Sequence, residues 1–325
     1  VVNLMTAPFF LDTNTAHTTI GSTFYIGFMQ NYVNLEFSSA TINKSMVFIV
    51  AEATKNIQVQ IKSHYEQFST AITKRSFILS YDDVIIYNRK VQSVIHRSNT
   101  VQLQATPGIE MSVFVINEEY SSVDGYLALP FRTVPGVDQY HYYAVSVPRD
   151  AKGTTSPNGN SAFLIIACVH HTVVTITPSQ VAKDPINPNR TLTIGESHTF
   201  VLDELDTLYF ASPEDLSGSH VISDQPITFI SGHECGSVPS SRVQCNHLVE
   251  QIPPTAVWGK QFFISSISLH PGGDIYKMVA SSNNTAVNIL CTNSKREQKN
   301  DIDLLIPRAG ATMNVSIGPA DNCII

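Results

Sequence analysis

The feature that most constrains the fold of this chain is an internal repeat with a period of about 115 residues. Phe48 lies in a strand-like segment that recurs around Phe163, and Ile61 recurs as Ile176 at the same offset. A third copy begins with Tyr276-Lys-Met-Val279 and is followed by only part of the repeat. Similarity at a fixed period indicates an array of equivalent structural units. We therefore predict about two and a half copies of one unit in the 325 residues.

Each copy contains short segments in which apolar and polar residues alternate, such as Asn56-Ile-Gln-Val-Gln-Ile61 and Thr100-Val-Gln-Leu-Gln104. This period of two predicts β-strands with one buried face, and helical periodicity is nearly absent. Aligning the copies matches Ser76–Ser80 with His198–Leu202 and gives about eight strands per unit. The predicted fold is all-β, with tandem antiparallel β-sandwich-like modules. Blades of a β-propeller are the alternative that the sequence leaves open.

The copies divide the chain into module 1 at residues 24–138, module 2 at 139–259 and a partial module 3 at 260–325. The third copy ends before its later strands. We expect either that the native chain continues or that the N-terminal segment, residues 1–23, supplies the missing strand and closes the last module.

Composition and charge limit the possible partners. The net charge is −7 and only 14% of the residues are charged, against about 25% in an average globular protein. Nucleic-acid binding normally requires a basic face, so we expect no nucleic-acid partner. The longest apolar run, Ala162–Val169, predicts a buried strand and is far shorter than the ~20 residues of a membrane helix. We therefore expect no membrane insertion of this chain.

Candidate glycosylation sites and the spacing of the cysteines favour an extracellular location. Cys235 and Cys245 are close in sequence, as in the disulfide-closed loops of secreted proteins. Such proteins also carry glycans at Asn-x-Ser/Thr sequences. Four candidate glycosylation sites of this kind occur, at Asn43, Asn189, Asn283 and Asn314.

The stretch that breaks the repeat is Ser231–Glu250, in which Cys235 and Cys245 are flanked by His233 and His247. A zinc site would use these four ligands, although structural zinc sites usually space paired ligands by two or more residues. A catalytic Cys/His pair would need one free thiolate beside a base. We predict instead a disulfide between the two cysteines, which by loop entropy contributes about 3 kcal/mol.

The remaining cysteines allow one further pairing. Cys291 and Cys323 both lie in the last copy, and a disulfide between them would tie its first hairpin to the tail. Cys168 lies inside the apolar run and is predicted to be a buried free thiol.

Several segments resemble the N-terminal domain of the IgGFc-binding protein family: Gly21–Asn31, Ile222–Ile227, Ser231–Gly236 and Cys245–Pro254, followed by Trp258-Gly-Lys. The resemblance spans about residues 20 to 325. It implies a secreted or cell-surface mosaic protein, in a mucus- or matrix-like context for the mammalian member. The family name implies antibody binding, an activity that we do not assign to this chain.

The leading functional hypothesis is a non-enzymatic extracellular recognition or adhesion module that binds a protein or a glycan. The elaboration on one copy of a repeat is where function tends to concentrate. The predicted contact residues are therefore His233, Glu234, Arg242, His247 and Glu250. No catalytic residue, metal ligand or cofactor is assigned.

Three alternatives stay open. In the first, the chain is a structural spacer. In the second, the Ser231–Glu250 loop only seals the joint between the second and third copies. A metal-dependent hydrolase using His233 and His247 is the third alternative, although no G-x-S-x-G, H-E-x-x-H or Gly-rich phosphate loop occurs.

Overall fold

The structure is a computed structural model that describes residues 19–31, 44–51, 57–63, 67–72, 76–80, 100–119, 122–149, 159–187, 189–239, 245–266, 273–293, 298–319 and 321–325. Within these residues the elements are β-strands apart from one 3-10 turn at Thr255–Val257. Two compact units are present: one contains the described residues up to Ala256 and the other contains those from Val257 to Ile325. Residues 1–18 of the predicted N-terminal segment, 1–23, lie outside the described residues.

Module 1 is a sandwich of two antiparallel four-stranded sheets. One sheet has the strand order β1-β6-β3-β4 and the other the order β5-β2-β7-β8. The strands are β1 (Thr23–Gly27), β2 (Lys44–Ala51), β3 (Ile57–Lys62), β4 (Gln67–Ile72), β5 (Ser76–Ser80), β6 (Thr100–Ala105), β7 (Met111–Glu119) and β8 (Ser122–Ala128). Its core consists of the inward residues of both sheets, such as Val47, Ile61, Leu103 and Val113.

Module 2 repeats this topology. Its sheets have the orders β9-β16-β11-β14 and β15-β10-β17-β18, which match those of module 1 strand by strand. A two-stranded ribbon of β12 and β13 is added. The strands are β9 (Tyr140–Tyr143), β10 (Ser161–Ala167), β11 (Thr172–Thr177), β12 (Ala182–Lys183), β13 (Thr191–Leu192), β14 (His198–Leu202), β15 (Thr207–Ser212), β16 (His220–Ser223), β17 (Ile227–Gly236) and β18 (Asn246–Gln251).

Module 3 contains β19 (Phe263–Ser265), β20 (Asp274–Val279), β21 (Thr285–Thr292), β22 (Gln298–Ile306), β23 (Thr312–Ile317) and β24 (Asn322–Ile324). Its four-stranded sheet, β19-β24-β21-β22, has the same order as the first sheet of each other module. The facing sheet consists of β20 and β23 among the described residues. Cys291 and Cys323 lie directly opposite each other on β21 and β24 and form a disulfide, as the sequence suggested.

The prediction of an all-β fold of tandem sandwich-like modules is confirmed. One strand match was wrong, because Ser76–Ser80 does not correspond to His198–Leu202. β5 pairs with β2, whereas β14 pairs with β11 in the opposite sheet, so the counterpart of β5 is β15. Alternating patterns are similar on the two sheets of a sandwich, and the pattern alone did not tell them apart.

The apolar run at Ala162–Val169 is explained by a sheet that is covered on both faces. Phe163 on β10 stacks on Phe210 and contacts Phe229 inside module 2. Leu164 and Ile166, which point to the opposite face, belong to the same buried cluster as the module 1 core. A strand buried on both faces reads as a continuous apolar segment. Within the described residues, no helix has the length and hydropathy for crossing a membrane.

Candidate functional site

The elaborated stretch forms the β17–β18 hairpin at the end of module 2. The two strands pair antiparallel from Ile230, opposite Gln251, to His233, opposite Leu248, and a bulge follows. A disulfide joins Cys235 at the end of β17 to Cys245 just before β18. Ser237–Cys245 is therefore a nine-residue loop held closed at its base. Residues 240–244, which include Arg242, lie outside the described residues.

Gly232 is required by the close approach of the two strands. A Cβ atom at this position would lie within bonding distance of the Leu248 carbonyl oxygen, so only glycine fits. The neighbouring residue Ser231 fixes the strand to the chain after β9, because its hydroxyl donates to the Val145 carbonyl at 2.8 Å. The Ser146 hydroxyl donates in the same way to the Gly232 carbonyl.

His247 is fully buried between the two modules, and both of its ring nitrogens are engaged. Nδ1 lies 3.1 Å from the His233 carbonyl oxygen and Nε2 lies 3.4 Å from the Asn117 amide nitrogen. This fits a neutral ring that donates from Nδ1 and accepts at Nε2. Burial lowers the pKa of His247 to about 4. The ring is thus a neutral structural link between β18 and β7.

His233 is also fully buried, but it has an unused nitrogen. Its Nδ1 accepts a hydrogen bond from the backbone N–H of Cys235 at 3.0 Å, while Nε2 has no hydrogen-bond partner among the described residues. Burial is the main cause that lowers the pKa of His233 to about 4, and the nearby His247 lowers it further. The contact with Cys235 fixes the backbone at the residue that forms the disulfide.

Glu234 points to the opposite face of β17 and is held by three donors. Its Oε1 accepts from the Tyr209 hydroxyl at 2.9 Å, and its Oε2 accepts from the backbone and side-chain nitrogens of Asn160 at 2.9 Å each. Burial outweighs these hydrogen bonds and raises the pKa of Glu234 to about 7. The protonated form of this carboxyl group is therefore favoured more strongly in the folded protein than in water.

Glu250 and Asp124 are two interacting carboxyl groups where β18 meets β8. The Glu250 Oε1 accepts from the backbone N–H of Gln251 at 3.0 Å, and the Asp124 Oδ2 accepts from that of Val249 at 2.9 Å. Burial, with a smaller contribution from the Asp124 carboxylate, raises the pKa of Glu250 to about 8. Burial also raises the pKa of Asp124 to about 6.

These contacts belong to a polar seam between modules 1 and 2, which we define as Asn31, Asn117, Ser122, Asp124, Asn246, His247 and Gln251. Asn31 donates to the carbonyls of Asn117 and Ser122, both at 3.1 Å. Asn246 accepts from the Ser122 hydroxyl at 3.0 Å, and Gln251 accepts from the Leu129 N–H at 2.8 Å. The cross-module contacts of the hairpin thus join the second module to the first. The joint between the second and third copies was one of the alternatives that the sequence left open.

The predicted contact residues differ in their burial in the structure. His233, His247 and Glu234 have exposed fractions of 0%, 0% and 7%, so in this arrangement they do not offer a surface to a partner. The physical reason is that β17 is covered on both faces, by module 1 and by the other sheet of module 2. Glu250 is half-buried beside the seam, and Arg242 lies outside the described residues.

The sequence analysis missed the partners of these residues, chiefly Asn117, Ser122 and Asp124. They lie on a different module, more than 120 residues away in sequence, so local patterns do not reveal them. One signal was present, because Asn31 and Asn246 both fall in segments that carry the family resemblance.

The hydrogen bonds of His247 are relevant to the alternative of a metal-dependent hydrolase. Since both ring nitrogens of His247 are already engaged, neither is free to act as a base or a metal ligand. Among the described residues, no group of three or more His, Cys, Asp or Glu is arranged to hold a metal ion.

Three candidate glycosylation sites lie in exposed positions. Asn189 follows the β12 strand, Asn283 lies in the turn before β21 and Asn314 is on β23. The Asn283 side chain accepts a hydrogen bond from the Ala309 N–H at 3.0 Å. Asn43 lies outside the described residues, and glycosylation at all four stays a prediction.

The fold and the seam together define a class, a tandem β-sandwich protein with disulfide-linked strands. The family model described as "IgGFc binding protein" matches residues 124–307, more than half of the chain. The chain therefore belongs to the IgGFc-binding protein family. The matched region runs from β8 to the end of module 3's β22 and includes the whole β17–β18 hairpin.

A curated human relative supports this assignment. The chain is 32% identical over 87 residues to a human protein named "IgGFc-binding protein", which amounts to 27% of this chain. The chain spans about 2% of the length of that relative.

Among solved structures, a mycobacterial arabinofuranosyltransferase, AftD, aligns over 88% of this chain and 30% of its own chain. The sequence identity is 9% and the TM-score 0.17, values too low to support any inference.

Proposed function

We propose that this chain is a non-enzymatic extracellular protein-binding module whose contact surface is the disulfide-closed loop Ser237–Cys245. Membership of the IgGFc-binding protein family supports a protein partner. The two disulfides support an oxidising, extracellular environment.

The observation that carries the proposal is the difference between equivalent hairpins. β7 and β8 are joined by two residues, whereas β17 and β18 are joined by nine that are closed by a disulfide. A fold of this kind needs only a tight turn here, so the extra residues are not required to form the sandwich. Surface loops on a rigid scaffold commonly carry binding residues.

The buried residues of the hairpin then have a positioning role. His233 fixes the backbone of Cys235, and His247 ties β18 to module 1. Glu234 ties the end of β17 to Asn160 and Tyr209. Holding the stem in one conformation lowers the entropy that the loop loses on binding a partner. Arg242, in the middle of the loop, is the residue we propose as the main contact.

The test replaces residues 237–245 with Gly-Ser and includes Cys235→Ser, so that no free thiol is left. Binding to the Fc fragment of immunoglobulin G and to purified mucin is measured by biolayer interferometry. We expect Arg242→Ala to weaken binding to one of them by about tenfold, as a binding hot spot would. The loop replacement should abolish binding to that same partner.

The matched control replaces Tyr120–Ser121, the two residues between β7 and β8, with Gly-Ser. This variant should bind like the wild type. Equal binding by the wild type and the loop-replacement variant, or no binding of either probe by the wild type, would argue against the proposal.

A structural spacer is the second candidate, and the polar seam favours it. Asn246, His247 and Gln251 of the hairpin make contacts that hold the two modules together. For a spacer, the wild type should bind neither probe, and the loop replacement should change the melting temperature of the module pair. For a binding module, the melting temperature should stay within a few degrees.

A further inference from the structure

Modules 1 and 2 are joined by a face-to-face contact between two different kinds of sheet. Module 1 contributes its first sheet, β1-β6-β3-β4, and module 2 contributes its second sheet, β15-β10-β17-β18. Thr228 on β17 donates to the Tyr25 carbonyl of β1 at 3.1 Å. Leu164 and Ile230, on the outer face of the second sheet, belong to the same buried cluster as the module 1 core. In this joint, therefore, the outer face of a second sheet is covered by the outer face of a first sheet.

Module 1 has a second sheet of its own, β5-β2-β7-β8, and the outer face of that sheet is apolar and exposed. Phe114 on β7 is 44% exposed, Val50 on β2 44% and Val123 on β8 42%. Ser112, which lies opposite Val50, is two residues from Phe114 along β7. Glu118, which lies opposite Val123, is four residues from it. Residues at even spacing share a face of a sheet, so these three apolar side chains form one exposed patch.

Module 3 presents the other kind of face, the outer face of a first sheet. On its sheet β19-β24-β21-β22, Leu290 is 39% exposed, Ile324 36% and Leu305 58%. Ile324 lies directly opposite Leu290. Leu305 lies opposite Ala286, four residues before Leu290 on β21, so all three exposed side chains share one face. The other side of β21 carries Ile289, which is fully buried in the core of the module.

The first sheet of module 2 has a more polar outer face. Thr175 Oγ1 lies 3.0 Å from Thr199 Oγ1, and Thr177 Oγ1 lies 2.8 Å from Ser197 Oγ, all at exposed positions. Val201 lies on the same face and is 63% exposed. The first sheet of module 1 is already covered by module 2. Among the three first sheets, that of module 3 is therefore the best match for the apolar patch around Phe114.

We propose that a second copy of this chain covers the outer face of module 1's second sheet with the first sheet of its own module 3. This contact repeats between molecules the pairing of sheets that joins modules 1 and 2 within one molecule. The two faces differ, so the contact is heterologous and copies associate head to tail. At standard strand spacings, four strands of about seven residues cover on the order of 450 Å² per partner, about half of a standard interface. The association is therefore weak.

The test is sedimentation velocity of the full chain between about 1 and 300 μM, which brackets the dissociation constants of weak interfaces. The wild type should form larger species as its concentration rises. Phe114→Asp and Leu305→Asp each place a carboxylate on one of the two faces and should raise the dissociation constant at least about tenfold. Each variant keeps the other face intact, so an equimolar mixture should form a dimer and nothing larger. Mixing cannot restore a two-fold contact between like faces.

Ile194→Asp is the matched control, because this side chain is 54% exposed and lies outside both faces. It should associate like the wild type. Val201→Asp applies the same change to the first sheet of module 2 and should also leave association unchanged. Each variant should keep its melting temperature within a few degrees of the wild type. If Phe114→Asp disturbs folding, Val123→Asp on the edge strand β8 takes its place.

Four results would overturn the proposal: a wild type that stays monomeric at every concentration, association that survives either face variant, a mixture of the two variants that stays monomeric, or a loss of association in Val201→Asp.

Discussion

The hairpins β7–β8 and β17–β18 occupy the same place in two sister sandwiches, yet they differ in burial and in connection. β7 alternates between buried and exposed residues, with Phe114 44% exposed between Val113 and Val115, which are buried. All ten residues of β17 are buried. The difference arises because module 1 packs against the outer face of the sheet that contains β17. One repeat unit thus gives a strand with a free face in one copy and an interior strand in the other.

The comparison also shows why the polar residues of β17 need hydrogen-bond partners. A polar group that is buried without a partner costs free energy, so each one on an interior strand needs a partner. Thr228 donates to the Tyr25 carbonyl at 3.1 Å, and Glu234 is held by Tyr209 and Asn160. The Thr228 bond links β17 to module 1. The Glu234 bonds lie within module 2 and hold the stem of the longer loop.

The largest expected effect comes from Gly232→Val. The new Cβ would collide with the Leu248 carbonyl oxygen, and β17 has no free face towards which it can shift. We expect the free energy of unfolding to fall by more than about 4 kcal/mol, measured by guanidinium denaturation. Gly259→Val is the matched control, because a Cβ there meets no atom nearer than 3.7 Å. A loss at Gly232 no larger than at Gly259 would contradict the close approach.

The second largest effect should come from removing the disulfide that distinguishes the two hairpins. The variant Cys235→Ala/Cys245→Ala opens a loop closed over ten residues of sequence separation, which corresponds to about 3 kcal/mol in the loop-entropy model. The measurement is the calorimetric transition of modules 1 and 2. Cys291→Ala/Cys323→Ala serves as the control and should destabilise module 3 instead. The expectation fails if both double variants shift the same transition.

Much of this fold follows from sequence patterns, because each rests on local information. Period-two alternation indicated the strands, the 115-residue offset indicated a repeated unit, and the apolar run at β10 indicated a buried strand. Both disulfides could also be predicted, since each cysteine pair lies within a single copy of the repeat.

The environment of the candidate site was not predictable in the same way. Ser231-Gly-His-Glu-Cys-Gly236 has the composition of an exposed loop, and nothing local shows that module 1 covers it. His247 meets Asn117 across 130 residues of sequence. The alignment also confused β14 with β15, because strands of the two sheets carry the same alternation. Long-range packing decided both points.

A smaller effect, of about 2 kcal/mol, is expected for His247→Leu. Leucine fills the site but leaves the Asn117 amide and the His233 carbonyl without their ring partners. A double-mutant cycle with Asn117→Leu should give a coupling energy of about 1 kcal/mol, measured by urea denaturation. His170→Leu, at a side chain that is 68% exposed, should change stability by less than about 0.5 kcal/mol. Additive losses at His247 and Asn117 would show that the seam does not couple the modules.

The smallest effect is a pH dependence that arises at the β17–β18 hairpin. The pKa of Glu250 rises from 4.5 to about 8 and that of Glu234 from 4.5 to about 7, so the folded state binds these protons more tightly than the unfolded state. Stability from such groups falls as the pH rises through that window. His233 and His247 act in the opposite sense, because their pKa values fall from 6.5 to about 4 and protonation destabilises the folded state below pH 6.5.

These opposing contributions cancel in large part between about pH 4.5 and 6.5, and above pH 6.5 the carboxyl groups account for most of the pH dependence that remains. The free energy of unfolding should therefore fall by about 1 kcal/mol between pH 6.5 and 8. Glu250→Gln, which keeps the shape and carries no charge, should remove most of this decline. Glu214→Gln, at an exposed position, should leave it unchanged. Stability that rises over this interval, or a decline that survives Glu250→Gln, would show that the carboxyl groups are hydrated and that the seam opens where β18 meets β8.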